Sequence, residues 1–323
     1  MNKEEILALI RLLDTESDGN IQSLGDKFRL RIALNLLSII RKIHMRDGRS
    51  QHDLFKQAEK IGIHILEPHF YSPLPTISQL PDETWSTKWD AGIDWNEKAG
   101  VDILTQLARY SNEYRSWISS EQDFNNQTLF GNYDSATYYA MIRHYMPSKI
   151  IEVGAGYSTK VSSSAISENK RGEIVAIEPF PRPFLKKLTG LKQLIEKPVQ
   201  LVPLEVFQQL GQNDILFIDS SHISKVGSDV NYLFLYVLPN LKPGVIIYVH
   251  DIGLPSQISR KKLVELLRFW NEQYLLHAFL IGNQSFKVLF GVKYMIDSHP
   301  DLLKNIDDRC NPSGGSFWMQ KVG

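Results

Sequence analysis

Short apolar runs alternate with helical stretches through the second half of the chain. Lys149 to Val153, Glu173 to Ile177, Val199 to Val202, Ile215 to Ile218 and Val245 to Val249 read as strands. Helical stretches at Ser158 to Asn169, Pro183 to Leu194 and Val226 to Val237 separate them. Such alternation implies a parallel sheet covered by helices on both faces. The strands are continuous apolar runs, as a doubly covered sheet requires. Further on, Tyr274 to Ile281 and Gly315 to Val322 read as two more strands, with Val288 to Ile296 and a Pro300-containing helix between them.

The first half has a different texture. Residues 1–67 read as helical, with Glu4 to Leu13 as one segment and a break at Asp18-Gly19-Asn20. Phe28 to Met45 carries Leu30, Leu34, Leu37, Ile40 and Ile43 at a spacing near that of a helix face. Lys27, Arg31, Arg41, Lys42 and Arg46 flank that stripe. It predicts a helix packed on the main domain, with a membrane-surface or partner helix as the other reading. His69 to Pro75 contains two prolines, which favour an extended path. Trp85, Trp89 and Trp95 follow, either as the wall of a small-molecule pocket or as packing for an irregular segment. Leu104 to Ile118 is again helical.

Composition narrows the class. The chain has 323 residues, 43% hydrophobic and 22% charged, enough to bury a core without staples. Lys plus Arg equals Asp plus Glu at 36 each, so the basic excess of a nucleic-acid binder is missing. The single cysteine, Cys310, excludes an internal disulfide and points to a reducing compartment; it reads as an incidental thiol. The first apolar run, Ile6 to Leu13, is short and holds Arg11, unlike a secretory signal. No stretch reaches the roughly 18 apolar residues that span a membrane. These features predict a soluble, cytoplasmic protein without membrane or nucleic-acid partners.

The chemistry concentrates where strands end. Ile150-Ile-Glu-Val-Gly-Ala-Gly-Tyr-Ser-Thr159 is a strand, a glycine turn and a helix start. Glycines let the backbone turn tightly and approach a ligand, and the helix start offers free N–H groups. A dinucleotide enzyme would place a pyrophosphate there. Three details argue otherwise. Thr159 stands where a third glycine would be, and Glu152 sits at the strand end, where it would repel a pyrophosphate but not a cationic sulfonium amino acid. Glu178 ends the next strand, where a carboxylate can accept both hydroxyls of a ribose.

Glu-Val-Gly-Ala-Gly-x-Ser-Thr at 152–159, Ala176-Ile-Glu-Pro179 and Ile218-Asp-Ser-Ser-His222 resemble a class I S-adenosylmethionine-dependent methyltransferase. They are similar in particular to bacterial small-molecule O-methyltransferases. The likeness spans about residues 130–255, and the His69–Pro75 segment resembles a feature of some bacterial members. It implies a Rossmann-like α/β fold, a seven-stranded, mostly parallel sheet of order 3-2-1-4-5-7-6, here with a helical N-terminal extension. The expected division is an extension and acceptor-side lid over 1–128 and a catalytic domain over 129–323. By position, Gly154 and Gly156 approach the methionine part of the cofactor. Ser158 and Thr159 cap the next helix and can meet its carboxylate. Glu178 takes the ribose, and Leu204 and Glu205 lie near the adenine. Asp219 belongs to the same set. Asp134 and Tyr138 precede the first strand and contact cofactor or acceptor, with helix capping as the other role for Asp134.

Two readings stay open for the tips of the fourth and fifth strands. Catechol O-methyltransferase-like enzymes bind a divalent metal there, which makes Asp219, His250 and Asp251 candidate ligands. His250 departs from the acid at its position in those enzymes, and imidazole suits Zn, Mn, Fe or Ni better than Mg. In the other reading His222 or His250 is a general base beside Asp219. The expected activity is methyl transfer to a small-molecule acceptor, at a hydroxyl oxygen. An NAD-dependent oxidoreductase and a non-catalytic cofactor-binding protein of the same fold are the alternatives.

Overall fold

The computed structural model describes residues 32–39, 48–66, 68–121, 124, 129–309 and 313–323. The expected segment at 4–13, the break at 18–20, the basic residues 27, 31, 41, 42 and 46, and Cys310 lie outside them. The chain divides into two compact units, Met1–Gln79 and Leu80–Gly323. In the first, residues 32–39 are helical, inside the expected 28–45 segment, and α1 spans Gly48–Lys60. The helices at 97–120, expected in an N-terminal extension, belong to the second unit, in one core with the sheet.

That unit runs α2 (Glu97–Leu107), α3 (Ser111–Ser120), α4 (Asn132–Tyr145), β1 (Lys149–Val153), α5 (Tyr157–Asn169), β2 (Glu173–Ile177) and β3 (Leu191–Ile195). It continues with α6 (Leu204–Phe207), β4 (Ile215–Ile218), α7 (Asp229–Tyr232), β5 (Ile246–Val249) and α8 (Glu272–Leu280). It ends with β6 (Phe286–Gly291), α9 (Val292–Ser298), α10 (Pro300–Ile306) and β7 (Phe317–Lys321). The sheet order is β3-β2-β1-β4-β5-β7-β6, as expected. Strands β1 to β5 are parallel, and β7 is antiparallel to both its neighbours.

Side chains alternate across each strand, so each face collects every second residue. Ile150, Ile174, Ile215, Phe217, Ile246 and Tyr248 face a core closed by α2 to α5. Ile151, Val153, Val175, Ile177, Leu216 and Val249 face the opposite core, which includes Val230 and Leu276. Central strands buried on both faces account for the continuous apolar runs that made them legible.

Two strands sit elsewhere than the sequence pattern predicts. Val199–Leu201 is a 3-10 turn, and β3 lies at Leu191–Ile195, over the end of the helix expected at Pro183–Leu194. As an edge strand it exposes Lys192 and Gln193, so it carries no apolar run. Tyr274 to Ile281 falls in α8, which buries Gln273, Leu276 and Leu280 at helical spacing. The sixth strand is Phe286–Gly291. A short apolar run does not distinguish a buried strand from a buried helix.

Candidate active site

The glycine turn after β1 is held by backbone contacts. Gly154 has φ of 82°, and its N–H donates to the Ile177 carbonyl at 3.0 Å. A Cβ there would stand 2.0 Å from the Asp219 carbonyl oxygen, so β4 can close on β1 only over a glycine. Gly156 is extended, and a Cβ on it would meet nothing within 4 Å. Thr159 closes the turn: the Gly156 N–H donates to its hydroxyl at 3.0 Å, and that hydroxyl donates to Glu152 at 2.5 Å.

Glu152 has the parity of Ile150, which turns its side chain under α4 and α5 instead of into the crevice at the strand tip. It is fully buried and accepts bonds from the hydroxyls of Tyr138 at 2.8 Å, Ser162 at 2.6 Å and Thr159. Burial pushes its pKa up against those three donors. Glu152, expected at the strand end beside a cationic sulfonium amino acid, therefore lines none of the three cavities, whereas Glu178 lines two of them. Tyr138 serves the buried carboxylate, and Asp134 accepts the N–H groups of Gly315 and Ser316, tying α4 to the start of β7.

Glu178 stands beyond β2. It accepts the Ala155 N–H at 3.3 Å and the Phe180 N–H at 2.9 Å, each on a different oxygen. Two cavities of about 410 and 370 Å³ meet along Gly154, Glu178, Asp219 and Ser220. The first extends past Val199 and Gln200, the second past Gly156, Ser158 and Arg182. Glu205 lies on α6 and Leu204 packs against the core; neither lines these cavities, because the third strand ends seven residues earlier than expected, at Ile195 rather than at Val202. Val199 and Gln200 hold the place expected of them. Ser158 is 4% exposed and lines the second cavity. Among the described residues its hydroxyl has no protein partner, so it is free for a ligand.

A third cavity, of about 590 Å³, reaches His222, the neighbour of Asp219. His222, His250, Asp251, Lys262, Trp270 and Trp85 help to line it. His222 Nδ1 lies 2.8 Å from Glu272 Oε2, and its Nε2 lies 3.3 Å from Asp219 Oδ1 and 3.8 Å from Asp251 Oδ2. Burial would lower the pKa of this ring; the bonds to Asp219 and Glu272 outweigh it and hold it up to about 10. Lys262 Nζ sits 2.7 Å from Asp251 Oδ1. Burial would raise the Asp251 carboxyl, but the charges of His250 and Lys262 hold it below its usual range. His250 Nδ1 pairs with the Tyr248 hydroxyl at 2.7 Å, and its Nε2 is 3.9 Å from Asp251 Oδ2.

This arrangement corrects the metal reading of Asp219, His250 and Asp251. The imidazolium of His222 and the ammonium of Lys262 stand against the two carboxylates, where a metal ion would have to be. Among the described residues no group of three or more His, Cys, Asp or Glu could hold a metal. The three tryptophans separate. Trp85 lines the large cavity, Trp89 packs on Tyr274, and Trp95 stacks on Tyr294 at 4.3 Å. Glu272, Lys262 and Trp270 had no local sequence signal, since each lies between the expected strands 245–249 and 274–281, where the pattern predicts no element.

A family model described as a methyltransferase domain matches residues 151–252. An uncharacterised protein of Archaeoglobus fulgidus is 30% identical over 165 residues, 46% of this chain and 74% of that protein. Among solved structures, the O-methyltransferase TomG of Streptomyces achromogenes with SAM is 14% identical, covering 68% of this chain and 90% of its own, at a TM-score of 0.40. The plantazolicin methyltransferase BpumL with SAH is 11% identical over 71% and 99%, at 0.39. The chain belongs to one family with the archaeal protein, and its residues 151–252 form a segment that matches the methyltransferase domain. The open space at Gly156 and the unpartnered Ser158 hydroxyl fit S-adenosylmethionine, the cofactor that the resemblance implies. Among the described residues no helix is long and apolar enough to cross a membrane.

Proposed function

We propose that the chain methylates a hydroxyl oxygen of a small-molecule acceptor bound in the 590 Å³ cavity. One observation carries this reading. Asp219 lines both smaller cavities, and His222, 3.3 Å away, lines the large one, so a cofactor and an acceptor would meet at that pair.

Bound S-adenosylmethionine supplies an electrophilic methyl group on a sulfonium. Ser158 and the N–H groups opening α5 would take its carboxylate, and Glu178 its ribose hydroxyls. Gly154 and Gly156 keep the turn clear for it. Thr159 and Glu152 act from behind, holding the turn. Positioning of this kind is worth about 7–11 kcal/mol in favourable cases.

The acceptor hydroxyl must lose a proton as it attacks. His222 is a poor recipient, because two carboxylates already hold a proton on it. His250 meets one carboxylate oxygen, at 3.9 Å. With Nδ1–H donated to Tyr248, its Nε2 would take the proton. Asp219 and the His222 cation would orient the acceptor oxygen.

The test uses cofactor carrying a tritiated methyl group and a panel of phenols, catechols and monosaccharides. The expected product is a methyl ether, and His250→Asn should lower its rate at least about 100-fold with S-adenosylhomocysteine affinity kept within about threefold. Label found only on nitrogen or on macromolecules, or an unaffected His250→Asn variant, would overturn the reading.

A further inference from the structure

We infer that Glu272, at the start of α8, is the positioning residue that holds His222 at the seam between the cofactor and acceptor cavities. The inference rests on the reading of that seam given above. Trp270, Asn271 and Glu272 lie outside the segment 151–252 matched by the domain model, whereas His222 and Asp219 lie within it.

His222 sits in the left-handed backbone region, at φ of 61°. A residue other than glycine stays there only where its surroundings over-determine it. Here they do. The His222 carbonyl accepts the N–H groups of Asn271 at 3.0 Å and Glu272 at 3.2 Å. Its own N–H donates to the Ser220 hydroxyl at 3.1 Å, and that hydroxyl donates to Glu272 Oε1 at 2.8 Å. Trp270 packs on the imidazole with ring centres 4.3 Å apart. Three consecutive residues, 270 to 272, thus grip both the backbone and the ring.

The carboxylate fixes which nitrogen faces the reaction. Glu272 is 2% exposed, and its Oε2 takes the Nδ1–H of His222 at 2.8 Å. A buried carboxylate deprived of its donor is costly, so a flip of the ring, which would turn a C–H toward Glu272, is opposed. Nε2–H is then left pointing at Asp219 and Asp251. His222 becomes a fixed donor in the wall between the cavities, and Glu272 reaches the chemistry only through it.

The experiment uses the full-length chain with ¹⁵N-labelled histidine, free and with S-adenosylhomocysteine. The wild type should show a downfield imidazole Nδ1–H proton, identified by its loss in His222→Gln. Glu272→Gln, which keeps the shape but not the charge, should move that proton upfield; Glu272→Ala should abolish it. S-adenosylhomocysteine should bind Glu272→Gln within about threefold of wild type, while transfer to the best acceptor of the panel falls roughly 30-fold or more at an unchanged KM for the cofactor. Glu272→Asp, which keeps the charge, should recover part of the rate. An unmoved proton in Glu272→Gln, or an unchanged rate, would overturn the inference. Should Glu272→Ala fail to fold, the near-isosteric Glu272→Gln decides alone. If no acceptor is methylated, the reading of the seam fails, while the proton resonance still decides whether Glu272 holds the ring.

Discussion

Around Gly154 and Glu178 the site is made by neighbouring strand tips and one turn. Around His250 and Trp85 it is made by side chains from segments far apart in the chain. On the cofactor side the backbone does most of the shaping: Gly154 N–H on Ile177, Asp219 N–H on Val153, and the Thr159 bond to Gly156. On the acceptor side, cation and carboxylate pairs do it: His222 with Glu272 and Asp219, and Lys262 with Asp251. The first kind of site is set once the sheet forms. The second depends on where α8 and the segment around Trp85 come to rest, so it can change its ligand without disturbing the sheet.

The two glycines of the turn sharpen this contrast most. Gly154→Ala forces a Cβ against the Asp219 carbonyl at positive φ, with no flexible side chain to give way. The expected cost is on the order of 3–5 kcal/mol, a fall in melting temperature of roughly 10 °C, with cofactor binding lost. Gly156→Ala meets no protein atom within 4 Å. Its melting temperature should stay within about 2 °C of wild type, while S-adenosylhomocysteine affinity drops at least about tenfold, because the methyl group intrudes on the ligand's space. Calorimetry and a melting curve read both. Equal affinities for the two variants would mean that the turn is shaped by something other than these contacts.

The charge pairs on the acceptor side give a pH signature that the cofactor side lacks. The folded-state pKa of His222, about 10, lies above its unfolded value of about 6.5. Its contribution is therefore fully present below about pH 6.5 and is lost as pH rises through about 10. Asp219, Asp251 and Glu272 face the ring, and Lys262 and Arg268 stand over Trp270 beside it. Between pH 7 and 10 the wild type should lose stability faster than His222→Gln, by up to about 1.4 kcal/mol per pH unit. Melting curves at several pH values measure the difference; parallel curves would show that the pair does not hold a proton.

The same contrast explains what the sequence could tell. The central strands, the glycine turn and Glu178 were legible because each depends on a local pattern: an apolar run, then a turn residue, then an acid; the sheet order came only with the family resemblance. The edge strand β3 was not, because its exposed Lys192 and Gln193 break the pattern. Glu152 was legible as a position but not as a role. Its parity with Ile150 was visible, but the hydroxyls of Tyr138 and Ser162 that receive it come from two helices whose packing no spacing reveals. Glu272 was hidden further, since it sits 50 residues from the histidine it holds. Asp219, His222 and His250 were found because strand tips are where open α/β sheets gather ligands, but only the structure separates the paired histidine from the less encumbered one.

The smallest expected effect concerns Trp85, the one tryptophan of the three that reaches the large cavity. It is half-buried on a short 3-10 turn, and the segment after it is fastened at Lys88 to Asp297 and at Trp89 N–H to the Pro255 carbonyl. Removing the indole should leave that fastening in place and enlarge only the acceptor's space. Trp85→Ala should therefore raise KM for the best acceptor by roughly tenfold, with kcat changed less and cofactor affinity untouched. Trp95→Ala, which removes packing against Tyr294 and Phe317, should instead lower the melting temperature. If Trp85→Ala weakened cofactor binding as much as acceptor binding, the division of the site into a backbone-built half and a side-chain-built half would have to be redrawn, because one residue would then serve both.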